Sequence, residues 1–541
     1  MRDAVTDAVS RRGPRPPEAR TRRALPRIAV LQYGGMAFVS LFVIWPFARL
    51  LVDGLSATAL GDMISNARIR RIAWFTVWQA ALSTAAVLTL ALPLSAVLSR
   101  SRFRGRRAAL LFAAAPFTLP TVVVGTAFLA TLPGNLRQGW FAIVCAHIFF
   151  NLGMAVRVLT TASEGLDSSA WEAARTLGAS SWVAWRTVTF RRLRPSVLAV
   201  ASIVGTLTLT SFGTVLLLGG PSYATVDVEI YRQALQVLRL DRAAALSVLQ
   251  FAVVGAVLLW TVRRESNSTV PRGRDRRAPA PRHAQIAAAL VLVGVVLIPL
   301  VALARRAVRQ ADGTFGFDNF RALARVTRGS GLVDTPIASL AVSLRTASAA
   351  TAIAVAVGAA VAVAATRSRS LAARRVMHAL GTLPLATSAV VLGLGVLLGF
   401  SSKPFAWRRS AFLLPCVQAV VCLPFVVRTI LPALSEVPPA LSDAAETLGD
   451  SPWRAWWSVD FAVARHSIGV AIGLAFTVAL GEFGASSFLA RPQTPTMPIA
   501  IARLSGRPGQ IVQGQAAALA LVLGVLTMFC VGLAERSSRS R

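Results

Sequence analysis

Glu172 and Asp443 each open a run that reads almost the same in both places: Glu172-Ala173-Ala174-Arg175-Thr176-Leu177-Gly178 and Asp443-Ala444-Ala445-Glu446-Thr447-Leu448-Gly449. The offset is 271 (443 − 172), and it carries Phe212-Gly213 onto Phe483-Gly484, Pro221 onto Pro492, Thr225 onto Thr496 and Arg157 onto Arg428. A register held that long marks an internal duplication. One acid, two alanines and a glycine turn do not make a catalytic set. They make a small shaped surface for another protein to grip, presented twice.

Other chemistry is sparse. The four histidines pair with no acid at useful spacing, and Cys145, Cys416, Cys422 and Cys530 lie inside apolar runs without metal-ligand spacing. We therefore expect no metal site, no catalytic residue and no cofactor in this chain. Nucleotide hydrolysis is excluded by the same route: a P-loop needs Gly-Lys-Ser/Thr, and the only lysine, Lys403, stands in Ser402-Lys403-Pro404. Glu482 is the most unusual residue of the apolar runs, because a carboxylate at mid-span costs about 2.5–3.5 kcal/mol on insertion scales and needs a cavity or a partner. Its counterpart in the first repeat is Ser211. His147 and Asn151 lie four apart on one helix face. These four are candidates for a translocation pathway, with hydrogen bonding between helices the competing role for Glu482, His147 and Asn151.

The elements that must hold these residues are membrane helices. Hydrophobic residues make up 55% of the 541, in about twelve blocks of the roughly 20 residues that cross a bilayer core. The blocks begin near Ile28, Ile72, Ala108, Gly139, Ser196, Ala243, Ile286, Ile337, Val376, Ser410, Ser467 and Gly514. The block from Val376 to Phe400 is the weakest, interrupted by glycines and Pro384. The net charge of +34 does not indicate nucleic acid, because the arginines crowd into short connections with no aromatic-interleaved basic domain. They read as a positive-inside signal, placing both termini in the cytoplasm, although Arg305, Arg306 and Arg309 fall on the outer side. The expected fold is all-α, a polytopic membrane protein of about 12 transmembrane helices in two parallel six-helix repeats.

The expected organisation runs as follows. Residues 1–27 form a disordered basic cytoplasmic tail, and 28–262 the first half, with its transmembrane domain at about 72–262. Residues 263–285, rich in Arg and Pro, are a flexible linker. The second half covers 286–535, its transmembrane domain about 337–535, and 536–541 is a basic tail. The first apolar run has no clear cleavage site and reads as a retained anchor.

Ser169-Ala170-Trp171-Glu172 fits a capping box, so a helix is expected from Ser169 to a glycine turn at Gly178. Asp450-Ser451-Pro452 after Gly449 signals a second helix start, with Trp453, Trp456 and Val459 at three-residue spacing, as for Trp182, Trp185 and Val188. This layout resembles the cytoplasmic loop of binding-protein-dependent ABC permeases: Glu-Ala-Ala, three residues, Gly, nine residues, then an apolar residue. Glu172, Ala173, Ala174, Gly178 and Val188 match it, as do Asp443, Ala444, Ala445, Gly449 and Val459. Asp443 replaces the usual Glu, and the Leu-Pro that often closes the motif is Phe190-Arg191 and Phe461-Ala462.

The resemblance implies the permease subunit of an ATP-driven importer in the bacterial inner membrane. It implies a homodimeric ABC ATPase seated on the two loops and an extracytoplasmic substrate-binding protein as partners. Arg137-Gln138-Gly139-Trp140, His147 to Met154 and Ser211 to Val215 look like thiamine permeases, while ferric-iron permeases share the fused plan. An ion-coupled secondary carrier also fits six plus six helices, but it would not need two matched docking loops.

Overall fold

Long apolar runs become helices in a membrane because lipid offers the backbone no hydrogen-bond partners, and a helix satisfies its interior N–H and C=O groups within itself. The computed structural model describes residues 26–55, 61, 65–101, 103, 105–167, 169–265, 280–367, 371–401 and 403–539. Among them, ten helices are long and apolar enough to span a bilayer: Tyr33–Gly54, Ala67–Leu98, Trp140–Glu164, Ser181–Leu209, Leu240–Val257, Arg282–Val308, Ala338–Thr366, Leu413–Ser435, Trp456–Gly481 and Gln510–Ala534. A further crossing is a broken pair, Arg106–Thr118 and Thr121–Thr131, bent by 104°.

The break has a local cause. Proline disfavours helical conformations in its predecessor, and Leu119, before Pro120, is extended at φ −73° and ψ 141°. The second repeat breaks at the matching place. The helix Leu371–Thr382 passes into a 3-10 turn at Leu383–Ala386, Thr387 is extended, and Ser388 caps the helix Ala389–Gly399 by accepting from the Val391 amide at 3.2 Å. The block expected as one weak span from Val376 to Phe400 is therefore two helices. Among the described residues the first repeat has six crossing elements with its bent pair counted; the second has five spanning helices, with Leu371–Thr382 and Ala389–Gly399 at the place of the sixth. An even number returns the chain to its starting face, so the repeats run parallel.

The two repeats interlock. The helix Pro26–Val39 packs on Ala338–Arg367, and Trp45–Gly54 packs on both Leu240–Glu265 and Ala389–Gly399. Trp45 Nε1 donates to the Gly399 carbonyl at 2.9 Å. Reciprocally, Arg282–Val308 lies on Arg106–Ala114, Thr121–Thr131 and Gln510–Arg539. Each repeat's first span thus covers the other repeat's broken pair. Close approach elsewhere depends on missing side chains: a Cβ on Gly153 would lie 1.7 Å from the Ala113 carbonyl oxygen, so Gly153 lets Trp140–Glu164 lie flush against the first broken pair.

Several expected boundaries move. The linker expected at 263–285 is helical at both ends, since one helix runs to Glu265 and the next begins at Arg282; its centre, 266–279, lies outside the described residues. Nearly all of the expected tail 1–27 also lies outside them. The last helix continues to Arg539, so most of the expected 536–541 tail is helix.

Candidate functional site

The two repeated loops have one geometry. In the first, the helix Ser169–Thr176 ends at Gly178, whose φ is +87°; in the second, Pro439–Thr447 ends at Gly449 with φ +102°. Such left-handed values favour glycine because a Cβ would crowd the following carbonyl. The hydrogen bonds also correspond. Ala179 N donates to Ala174 O at 3.1 Å and Asp450 N to Ala445 O at 3.1 Å, while Leu177 N bonds Ala173 O and Leu448 N bonds Ala444 O. The paired alanines therefore supply the carbonyls that close the turn, and their small side chains leave the helix face open. At the tip, Leu177 is 87% exposed and Leu448 89%. The sequence shows both leucines at matched register, but only the structure shows that an apolar side chain crowns each loop.

Two local expectations fail. The first helix is not closed by a Ser169–Glu172 box: Ser169 Oγ donates to Asp167 Oδ2 at 2.7 Å, and Asp167 Oδ1 accepts from Ser169 N at 3.2 Å. Asp167 is the acceptor at that helix start, which leaves Glu172 in the first turn on an exposed face. The second helix of each loop does begin after the turn, at Ser181 and Pro452, but the spans expected from near Ser196 and Ser467 are continuous with it. Ser180 accepts from Val183 N at 3.3 Å, and the helix begun at Ser181 runs through a π-turn at Trp185–Thr189 into the span ending at Leu209. The second loop does the same through Trp456–Phe461. These spans thus begin well before Ser196 and Ser467, at the loops themselves. Trp182 and Trp185, three residues apart where the π-turn begins, stack at 5.1 Å and 14°.

Glu482, Ser211, His147 and Asn151 share the wall of one cavity of about 310 Å³, between the repeats and away from the loops. His147 bridges two elements: its Nδ1 meets Ser83 Oγ at 2.9 Å and its Nε2 meets Ser211 Oγ at 3.0 Å. Asn151 Nδ2 donates to the His147 carbonyl at 2.9 Å, and its Oδ1 has no hydrogen-bond partner. Glu482 makes its bonds to its own next turn, not to a neighbouring helix. Its Oε1 accepts from Ala485 N at 2.7 Å, and its Oε2 accepts from Ser486 N at 2.9 Å and from Ser486 Oγ. The carboxylate caps the short helix Ser486–Leu489, where N-terminal amides favour negative charge. Gln418, at the position matching His147, reaches Ser486 Oγ at 3.2 Å. Each repeat therefore ties its fourth span to the break after its fifth, with different side chains.

A second cavity of about 510 Å³ lies further from the loops, and Arg137, Arg306, Arg503, Tyr231 and Phe483 are among its walls. A buried carboxylate also joins the repeats: Ser388 Oγ donates to Asp227 Oδ1 at 2.7 Å, and Asp227 is fully buried. Sequence reading did not single out Asp227 or Ser388, because no pattern signals a contact between residues so far apart.

Twin exposed turns of one geometry, a broken helix pair in each repeat and cavities between the repeats characterise a multi-pass membrane protein built from two like halves. A model of the family described as binding-protein-dependent transport system inner membrane component matches residues 91–264, which include the first of the two repeated loops. The thiamine transport system permease protein ThiP of Brucella abortus (strain 2308) is 28% identical over 515 residues, covering 87% of this chain and 88% of that protein. ThiP of Escherichia coli (strain K12) is 27% identical, covering 89% and 96%. The probable ABC transporter permease protein y4fN of Sinorhizobium fredii is 28% identical, covering 89% and 90%. Over nearly its whole length the chain is similar to permeases of binding-protein-dependent ABC transporters.

Proposed function

We propose that this permease imports thiamine. The observation that carries the reading is the alignment of thiamine permeases across both repeats, over 87–89% of the chain in the Brucella and Escherichia proteins. The docking loops face the cytoplasm with both termini, in line with the arginines beside them, such as Arg191, Arg192 and Arg194 after the first loop. Two turns of one geometry suit two equal clefts, so the ATPase partner is a homodimer. Glu172, Ala173, Ala174 and Gly178, with Asp443, Ala444, Ala445 and Gly449, shape those turns. The cavity of Glu482, Ser211, His147 and Asn151 is the inner part of the pathway, and the arginine-rich cavity opens toward the extracytoplasmic binding protein.

The test is uptake of labelled thiamine by the complete transporter, with its own ATPase and binding protein, in proteoliposomes. Saturable ATP-dependent accumulation is expected. Its absence from a complex that hydrolyses ATP would overturn the substrate assignment and leave the family intact.

A further inference from the structure

We propose that Phe212 and Phe483 form the closed gate of the pathway, each moved by a single helix that begins at a docking loop. The inference rests on the translocation pathway assigned above, and four observations support it.

The two rings come from equivalent positions of the two repeats and stack on each other, centroids 5.1 Å apart with planes 23° from parallel. Both are buried, at 5% exposure each. Phe483 forms part of the wall of both cavities and Phe212 part of the inner one. The stacked pair thus stands where the outer cavity meets the inner, and apolar rings in contact leave no polar surface to carry a hydrated solute between them.

The chain around each ring is built to move. Phe212 lies between the end of one helix at Leu209 and the start of the next at Gly213, and Phe483 lies between Gly481 and Ser486. These interruptions provide hinges. Contact there is tight: a Cβ on Gly213 would lie 2.3 Å from Thr121 Oγ1 and 3.1 Å from Phe483 Cδ1. Glycine therefore lets the first repeat's hinge press against the second repeat's ring. Tyr231, 5.4 Å from Phe212 and 5.9 Å from Phe488 by ring centroids, braces the pair from the side.

The connection to the loops is direct. Ser181–Leu209 is a span of 29 residues, about 43 Å at 1.5 Å per residue, with the first docking turn at one end and Phe212 just past the other. Trp456–Gly481 joins the second turn to Phe483 in the same way. A rigid-body displacement of the loops by the ATPase acts on both levers together. Separation of the loops pulls the rings apart and joins the cavities.

The experiment uses the permease with its ATPase in liposomes loaded with labelled choline, a small organic cation whose leak does not depend on the thiamine assignment. Without ATP, the wild-type complex is expected to retain choline. Phe212→Ala with Phe483→Ala removes a contact made only in the closed state and is expected to raise the efflux rate by about tenfold or more. The pair Phe212→Leu with Phe483→Leu keeps bulk at the seam and is expected to stay within about threefold of wild type. Binding of the ATPase, measured on the same preparations, reports assembly. A double-alanine complex that binds its ATPase and still seals overturns the gate. Where the double variant does not assemble, the single alanine variants decide: efflux raised in either supports the gate, and wild-type sealing by both overturns it. A wild-type complex that seals but takes up no thiamine strikes the substrate assignment alone.

Discussion

Replacing Leu177 and Leu448 with alanine should separate docking from folding. Both side chains stand almost fully in solution, 87% and 89% exposed, so truncation removes little that the isolated permease has buried, and its stability should change by less than about 0.5 kcal/mol. A leucine seated in a partner's cleft is different. Full burial of such a side chain is worth about 1.5–3 kcal/mol, and the two loops are separate sites whose effects add. The double variant should lose about 3–6 kcal/mol, or roughly a hundredfold to ten-thousandfold in Kd for the ATPase dimer. Each single variant should lose about half of that free energy. The assay is titration of purified ATPase onto permease in nanodiscs, with thermal unfolding run beside it. A double variant that unfolds as wild type and binds within about threefold of it would refute the assignment of these turns as the docking surface.

Gly178→Ala and Gly449→Ala test the turn itself. Nothing lies within 4 Å of a Cβ at either position, so only the left-handed backbone opposes the change; each should cost about 1–2 kcal/mol locally and weaken ATPase binding without lowering membrane yield, as read by the same titration. Glu482→Leu leaves the buried amides of Ala485 and Ser486 without an acceptor and should destabilise the protein by about 2–5 kcal/mol. Glu482→Gln keeps one acceptor oxygen and should fold; equal melting temperatures for wild type, Gln and Leu would disprove the capping role. Ser388→Ala removes the one side-chain hydrogen bond that the buried Asp227 carboxylate receives among the described residues and should lower stability by about 1–3 kcal/mol, seen as a lower melting temperature. An unchanged value would show that this contact between the repeats contributes nothing.

The sequence alone determined the class, because its signals are local or periodic. Runs of about 20 apolar residues mark spans wherever they occur, and the repeated acid-Ala-Ala-x-x-x-Gly turn carries its own shape, since glycine at positive φ is a property of one residue. Hence Gly178 and Gly449 stand where the repeat places them. Boundaries were less legible. Ser181 and Pro452 begin helices that continue into spans, and polar residues up to Arg194 conceal that continuity from any reading of hydropathy; the broken pair at Ala389 was hidden because an apolar run does not say where its backbone bends. What only tertiary structure decided are relations between distant residues. Glu482 reads as an unpaired charge until the turn after it supplies two amides. Phe212 and Phe483 read as markers of a duplication until folding brings them face to face, and Asp227 meets Ser388 across 161 positions of chain. Such contacts depend on how the spans and broken helices of two repeats pack together, and a pattern along one segment carries no record of which surface will lie against it.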